Sequence, residues 1–428
     1  MLASFNKKNS FPWPYAISYL FTALIAFLNP NGFTVFVHFI ALFVFMGKVI
    51  AIKTSIYIAS FTGMINLLVG AIIHFVENQN QPKAQRKEIS TELKNYIKGV
   101  VLTILLTTLF ILLYKNANPV FNNIVSSINL DFLSLPWLFF TVIGYIVFLN
   151  IFKPYYPKEL IAFDTNSSNE LKKSSTPFST DYIHKLKAEH ALGSMVFAGL
   201  NILLALFLTT DAFYIYNTEV LSNAEYSDAV HKGIYALMFS IVVAIAIILY
   251  FFRGDLNFYT KNRQLKTLSY TWITLNTALV IFTFYKNWMY VASLGFTYKR
   301  IGVFVYLLLT LTGLATAYIK VAKIKSFNYM LRANLTTLFT FLLIAAAVPW
   351  DNAITAYNLN YIKDPDIIYL MKLGDTNLAQ LKKYAQKDTS FITEDQKKSI
   401  NETYNLFIKK QEEKKWQEYN FYHLTKNK

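Results

Sequence analysis

Six residues at the ends of apolar runs carry groups that can hold charge or move a proton: Asp211, Asp228, His231, Tyr298, Lys299 and Arg300. If the helices bearing them pack in chain order, two carboxylates and an imidazole lie near two fixed cations. Asp211 and Asp228 would then neutralise Lys299 and Arg300 in structural ion pairs. Alternatively, the cations would hold an anionic ligand, or His231 would act as a proton-coupled group. An acid–base role for Asp228 and His231 requires both to face one cavity within hydrogen-bond reach. A second polar set lies inside an apolar run, where Trp272, Asn276 and Thr283 share one helical stripe. A buried amide there must face protein or water, so the stripe points inward, toward interhelical hydrogen bonds or a solute path. The turn holding Arg253 and Asp255 reads as a local ion pair or a basic anchor.

Several chemistries are excluded. The chain has no cysteine, which removes disulfides, thiolate metal sites and thiol nucleophiles. His184 and His190 fall on different helix faces and Glu189 adds little, so no metal site is expected. His38 and His74 read as packing histidines. The sequence contains no phosphate-binding loop, nucleophile elbow, zinc-protease motif or dinucleotide fingerprint, and no cofactor is expected.

The elements that must position these residues are membrane helices. Hydrophobic residues make up 54% of the 428, aromatics 17% and charged residues only 15%, with mean hydropathy +0.33, a balance unlike that of a soluble domain. A span needs about 20 mostly apolar residues. Ten runs approach this: 13–29, 33–48, 55–76, 97–114, 133–152, 191–215, 233–252, 268–285, 301–320 and 335–349. No alternating pattern suggests a barrel, so the fold class is all-α, a polytopic transmembrane bundle of about ten spans with a small C-terminal helical tail. The apolar run after Lys7 and Lys8 lacks a cleavage site and reads as a retained first span.

Charge sets the orientation. The loops 77–96, 153–190, 253–267 and 320–334 hold eighteen Lys and Arg against six in 49–54, 115–132, 216–232 and 286–300, which places the first group in the cytoplasm. Ten spans would leave both termini outside, against the charge of Lys7 and Lys8; one span fewer at the N-terminus would bring that end inside. The net charge of +16 is spread between apolar runs, which suits the lipid bilayer as partner and not nucleic acid. Residues 164–179 are polar and read as a mobile stretch of a cytoplasmic linker. The expected organisation is an N-terminal bundle (1–152), that linker loop (153–190), a C-terminal bundle (191–349) and a helical tail (350–428). The apolar stripe Ile400, Tyr404, Phe407 and Ile408 suits a tail on the membrane surface or on the bundle. Lys320 is expected to snorkel to the cytoplasmic interface, and the stripe of Tyr306 and Gly313 to pack on the Asn276 face.

The runs His231-Lys232-Gly233, Tyr250-Phe251-Phe252-Arg253-Gly254, Trp272 with Asn276, and above all Gly295-Phe296-Thr297-Tyr298-Lys299-Arg300-Ile301-Gly302-Val303 resemble a bacterial membrane-protein family. It is known as domain of unknown function number four-one-seven-three, and its relative is number four-one-five-three. The similar region extends from about Glu189 to Leu373 and includes Asp211 and the tail segment Trp350-Asp351 through Asn358 to Tyr369-Leu370; the N-terminal half shows no motif of it. The resemblance implies a polytopic integral membrane protein and brings no activity, cofactor or substrate. The expected function is that of a multi-pass inner-membrane protein, non-enzymatic, with a partner-binding or envelope-sensing role through its C-terminal tail. The alternatives are a transporter or permease with a polar path near Asn276, and a membrane enzyme using Asp228 and His231.

Overall fold

The computed structural model describes residues 11–80, 91–127, 135–174, 180–217, 223–387, 392–415 and 418. Among them the elements are helices: α1 (Trp13–Leu28), α2 (Gly32–Ile50), α3 (Ile56–Asn80), α4 (Thr91–Ala117), α5 (Pro119–Ser127), α6 (Leu135–Phe152), α7 (Lys158–Asn166), α8 (Thr180–Asn217), α9 (Asn223–Phe251), α10 (Arg263–Leu294), α11 (Tyr298–Ala322), α12 (Phe327–Ala347), α13 (Trp350–Tyr361), α14 (Ile367–Met371), α15 (Leu378–Ala385) and α16 (Glu394–Glu412). Each of the ten apolar runs lies mainly in one of them. Six helices (α2, α4, α8, α10, α11 and α12) are long and apolar enough to cross a membrane, while α1, α6 and parts of α3 and α9 form shorter apolar helices. Large apolar side chains face outward from the described spans, with Met195 72% and Phe239 71% exposed, as expected where hydrocarbon is the solvent.

Local chemistry sets the helix starts. Asn31 and Thr34 form a capping box at α2, Thr297 caps α11, Ser326 caps α12, and Thr393 with Gln396 forms a second capping box at α16. Each gives a partner to an N–H that the first turn leaves unpaired.

The chain divides into two compact units, residues 1–11 with 61–158 and residues 12–60 with 159–428. In the first, buried amides join α3 to α6. Asn66 donates to the Tyr155 carbonyl at 2.9 Å and accepts from its N–H, and Asn150 donates to the Leu67 carbonyl at 3.0 Å.

The second unit is built around α8, α9, α10 and α11, whose shared core includes Phe197, Ile248, Phe252, Leu265, Leu279 and Leu314. Helices α1 and α2 pack against α12 through Ile25, Val37, Ala41, Val44, Phe339 and Ala346. Gly47 permits α2 to lie directly on the Ala59 backbone, where a Cβ would have no room. The first bundle expected from the sequence therefore does not end at residue 152 as one body, because 12–60 belongs with the later helices.

One end of this unit gathers the basic turns. Asp164 of α7, 2% exposed, accepts from the Ser55 N–H at 2.6 Å, from Tyr57 Oη at 3.2 Å and from Arg332 at 3.1 Å. Arg332 also donates to the Ser167 carbonyl and Asn169 Oδ1. The Leu171 N–H reaches the Ile324 carbonyl at 3.1 Å, and Lys325 pairs with Glu170 at 3.0 Å. Residues 164–174 are thus docked and not a loose linker; 175–179 lie outside the described residues. The same contacts correct the orientation of turn 49–54, which stands at the basic end beside 164–174 and 323–332. Lys320 does not snorkel. At 2% exposed, its Nζ donates to the Phe252 carbonyl at 2.7 Å and the Lys325 carbonyl at 3.0 Å, closing the end of α9. The α11 stripe meets α9 and not the Asn276 face: Tyr306 Oη donates to the Met238 carbonyl at 2.7 Å, and Gly313 lies against Ile245.

At the opposite end, α13 to α16 form a small domain with its own core of Ile354, Leu370, Leu378, Leu381, Ile400 and Phe407. The α16 stripe read as a membrane-surface face is consumed inside this core, with Tyr404 and Ile408 packed against it.

Burial alone would raise the Asp164 pKa, but the hydrogen bonds from Ser55 and Arg332 and the Arg332 charge hold it below the usual carboxylate value of 3.8. A depressed folded-state pKa contributes stability that is present above the unfolded value and lost as pH falls through the folded one. Thermal unfolding followed against pH should therefore show a loss of stability on acidification below about pH 4 that shrinks in Arg332→Gln.

Candidate functional site

The sequence-singled run 295–300 forms the junction between the bundle and the C-terminal domain. Helix α10 stops at Gly295, whose φ of +81° is a left-handed conformation suited to glycine. Its N–H closes the helix on the Val291 carbonyl at 2.8 Å, and the space a Cβ would need is taken by Asn358. The Asn358 amide pairs with both backbone groups of Phe296, accepting its N–H at 2.6 Å and donating to its carbonyl at 2.9 Å. The Phe296 ring meets Tyr357 edge-on at 4.6 Å.

Two further links follow. Tyr298 Oη donates to Asp351 Oδ1 at 2.5 Å, and Thr376 Oγ1 donates to Asp351 Oδ2 at 2.7 Å. The Tyr298 N–H donates to Tyr369 Oη at 2.9 Å. Burial raises the Tyr369 pKa, opposed by the Tyr298 N–H and by Arg300, so this phenol stays protonated. Asp351 is 6% exposed and both its oxygens are engaged, as burial of a carboxylate demands.

Arg300 pairs with no acid among the described residues. It folds back over the Tyr290 ring at 4.0 Å and donates to the carbonyls of Leu294 and Gly295, while its own carbonyl accepts from Asn287 at 3.1 Å. The cation is thus spent on the C-terminal carbonyls of α10, where the helix dipole favours it. Lys299 is exposed. Asp211, expected beside Lys299 and Arg300, instead forms an ion pair with Lys286 of α10. The side chains of Asp228 and His231, and with them the acid–base reading, lie outside the described residues.

The other two sets are also resolved. Arg253 and Asp255 do not pair with each other. Arg253 reaches Glu189 at 3.2 Å and stacks on Tyr250 at 4.0 Å, whereas Asp255 accepts from the Ser174 N–H at 3.0 Å and Tyr182 Oη at 2.9 Å. Together they fasten the end of the 164–174 segment and the start of α8. Trp272 and Asn276 face inward: the indole N–H points to the Ala244 carbonyl at 3.4 Å, and Asn276 Nδ2 donates to the Trp272 carbonyl at 2.8 Å. Both line a largely apolar cavity of about 480 Å³ between α8, α9 and α10. The His190 ring lies tilted against Tyr259 at 5.6 Å, and no group of three metal-ligating side chains occurs among the described residues.

Sequence reasoning found the 295–300 run and, through the resemblance, the segment holding Asp351, Asn358 and Tyr369, but did not connect the two; Thr376 it missed altogether. It also missed Lys286. The one signal for Lys286 was its place on the α10 stripe that already carries Trp272, Asn276 and Thr283.

The junction is built for attachment. Asp351→Ala leaves the Tyr298 and Thr376 hydroxyls without their acceptor and should cost about 1–3 kcal/mol. Gly295→Ala adds backbone strain to a collision with Asn358 and should cost at least as much. Thermal unfolding of the purified chain checks both, and Lys299→Ala, at an exposed position, should change little.

The resemblance noted in the sequence is sharpened by comparison with known proteins. A family model described as "Domain of unknown function (DUF4153)" matches residues 16–384, which is the relative and not number four-one-seven-three, and the match takes in the N-terminal half in which no motif was visible. No curated protein and no solved structure matches the chain. With most of its length under that one model, from α1 through the junction to α15, the chain belongs to the DUF4153 family.

Proposed function

We propose that this chain is a non-enzymatic, multi-pass protein of a bacterial inner membrane, whose C-terminal helical domain binds a protein partner or senses the envelope on the outer side. The observation that carries the reading is the junction: Asn358, Asp351 and Tyr369 hold the domain to the α10–α11 turn through polar contacts, so a force or a partner on the domain acts directly on two spans. No nucleophile–base pair accompanies it among the described site residues. A transport path is less well supported, because the cavity beside Asn276 is apolar and the Asn276 amide is engaged by its own helix.

The basic end lies in the cytoplasm on this reading, since it collects Lys53, Lys172, Lys173, Arg253, Lys261, Lys323 and Lys325. Turn 49–54 joins it, so α2 enters and α1 begins on the cytoplasmic side, in accord with Lys7 and Lys8. Helices α3 and α8 both start at that side. An even number of crossings must therefore separate them. Helices α8 to α12 then add five crossings, which leaves the C-terminal domain outside.

The partner-binding role is tested by a photo-crosslinking residue at Leu406, an apolar side chain 60% exposed on α16. Irradiated cells should yield a discrete adduct of higher mass, weakened by Asp351→Ala. Absence of any adduct across growth conditions would count decisively against a partner at this surface.

A further inference from the structure

We propose that the cavity between α8, α9 and α10 holds the acyl chain of a membrane phospholipid whose head group docks at the Asp211–Lys286 pair. The cavity measures about 480 Å³, within the range of about 300–1,000 Å³ typical of ligand pockets. Its walls are apolar and come from Leu200, Leu204 and Phe207 of α8, Leu237 and Val243 of α9 and Leu279 of α10.

The position of the mouth selects the occupant. Leu203, also in the lining, is 64% exposed and Val243 is 40% exposed, so the cavity opens on the flank of the bundle. That flank is formed by apolar helices, where the surrounding solvent is lipid tails. Water has little to hold it inside, because the Trp272 and Asn276 donors are already directed at backbone carbonyls, and apolar cavities stay dry. A hydrocarbon chain is the molecule present at high concentration that matches these walls.

The head-group site follows from the helical register. On α8 the lining residues Leu200, Leu204 and Phe207 continue along the same stripe to Asp211 one turn on; on α10 the stripe Trp272, Asn276 and Leu279 continues to Lys286 two turns on. The ion pair therefore stands at the end of the cavity toward the junction, on the outer side. Asp211 is 8% exposed, and while Oδ1 takes Lys286, its Oδ2 is buried with no hydrogen-bond partner. A buried carboxylate oxygen of this kind calls for a donor. A head group with an ammonium next to a phosphate supplies one: the ammonium donates to Asp211 Oδ2 and the phosphate lies beside the Lys286 ammonium. Phosphatidylethanolamine has this chemistry, whereas phosphatidylcholine has the same charges and no donor. The proposal rests on the bundle alone and is independent of any partner of the C-terminal domain.

The test uses the full chain in phosphatidylcholine vesicles doped with a phosphatidylethanolamine carrying a diazirine on its acyl chain, or with the matched phosphatidylcholine probe. Adducts mapped by peptide mass spectrometry should concentrate on the lining residues of α8, α9 and α10. Val243→Trp and Leu203→Trp, both at exposed mouth positions that the fold tolerates, should each lower those adducts at least about fivefold while adducts on the exposed helix α4 stay constant. The ethanolamine probe should label the cavity more than the choline probe, and Asp211→Asn should abolish that preference. Adducts spread evenly over outward-facing helices, or unchanged by both mouth variants, would overturn the cavity assignment. Equal labelling by the two probes in the unmutated chain would overturn the head-group assignment.

Discussion

A polar group buried among apolar helices has no water to fall back on, and the second unit is arranged around that constraint. Lys320, inside the bundle, is spent on the Phe252 and Lys325 carbonyls. Asp164 is enclosed by Ser55, Tyr57 and Arg332. Asp351 divides its two oxygens between Tyr298 and Thr376. Removal of one partner from any of these leaves a desolvated group uncompensated, which makes such positions expensive to alter. The polar contacts consequently fix which turns meet at each end, while apolar packing fixes only that the helices associate.

The two ends use the constraint differently. At the basic end a side chain from the 164–174 segment or from α7 reaches into turns from distant parts of the chain, so that α2, α3, α8, α9 and α12 share one rim. At the opposite end the contacts run between the bundle and a domain with its own core. The turn after α10 has a glycine in a left-handed conformation and an asparagine that reads its backbone, while Phe296 and Ile301 pack against the core of the domain. Between the ends, the cavity beside Trp272 and Asn276 is an exception to close packing, and the Asp211–Lys286 pair above it contains a buried oxygen without a donor. Departures from satisfied packing are where binding is to be sought.

The helices were legible in the sequence because a run of about 20 apolar residues is a local signal that the bilayer enforces. Partner choice was not. Asp211 could be seen to need a cation, and Lys299 and Arg300 were the obvious candidates by charge. The helix register instead delivered Lys286, and Arg300 was satisfied by carbonyls and an aromatic face, which have no sequence signature. The 164–174 segment looked loose because it is polar, yet its polar groups are the ones the basic turns require. The α16 stripe had the right period for a membrane-facing helix, and period alone does not distinguish a lipid from a small protein core. The count of basic residues misplaced turn 49–54 because it holds one lysine, too little for a statistical rule, whereas the contacts of Ser55 and Tyr57 decide it.

The central claim is a membrane bundle whose basic turns, 49–54 among them, face one side while the C-terminal domain faces the other. The absence of cysteine gives a silent background in which single cysteines can be placed at Lys53, Lys261 and Lys363, all exposed. Labelling of intact cells with a membrane-impermeant maleimide should modify the Lys363→Cys variant and spare the other two until the membrane is opened. Labelling of Lys53→Cys or Lys261→Cys in intact cells, or protection of Lys363→Cys, would contradict the account.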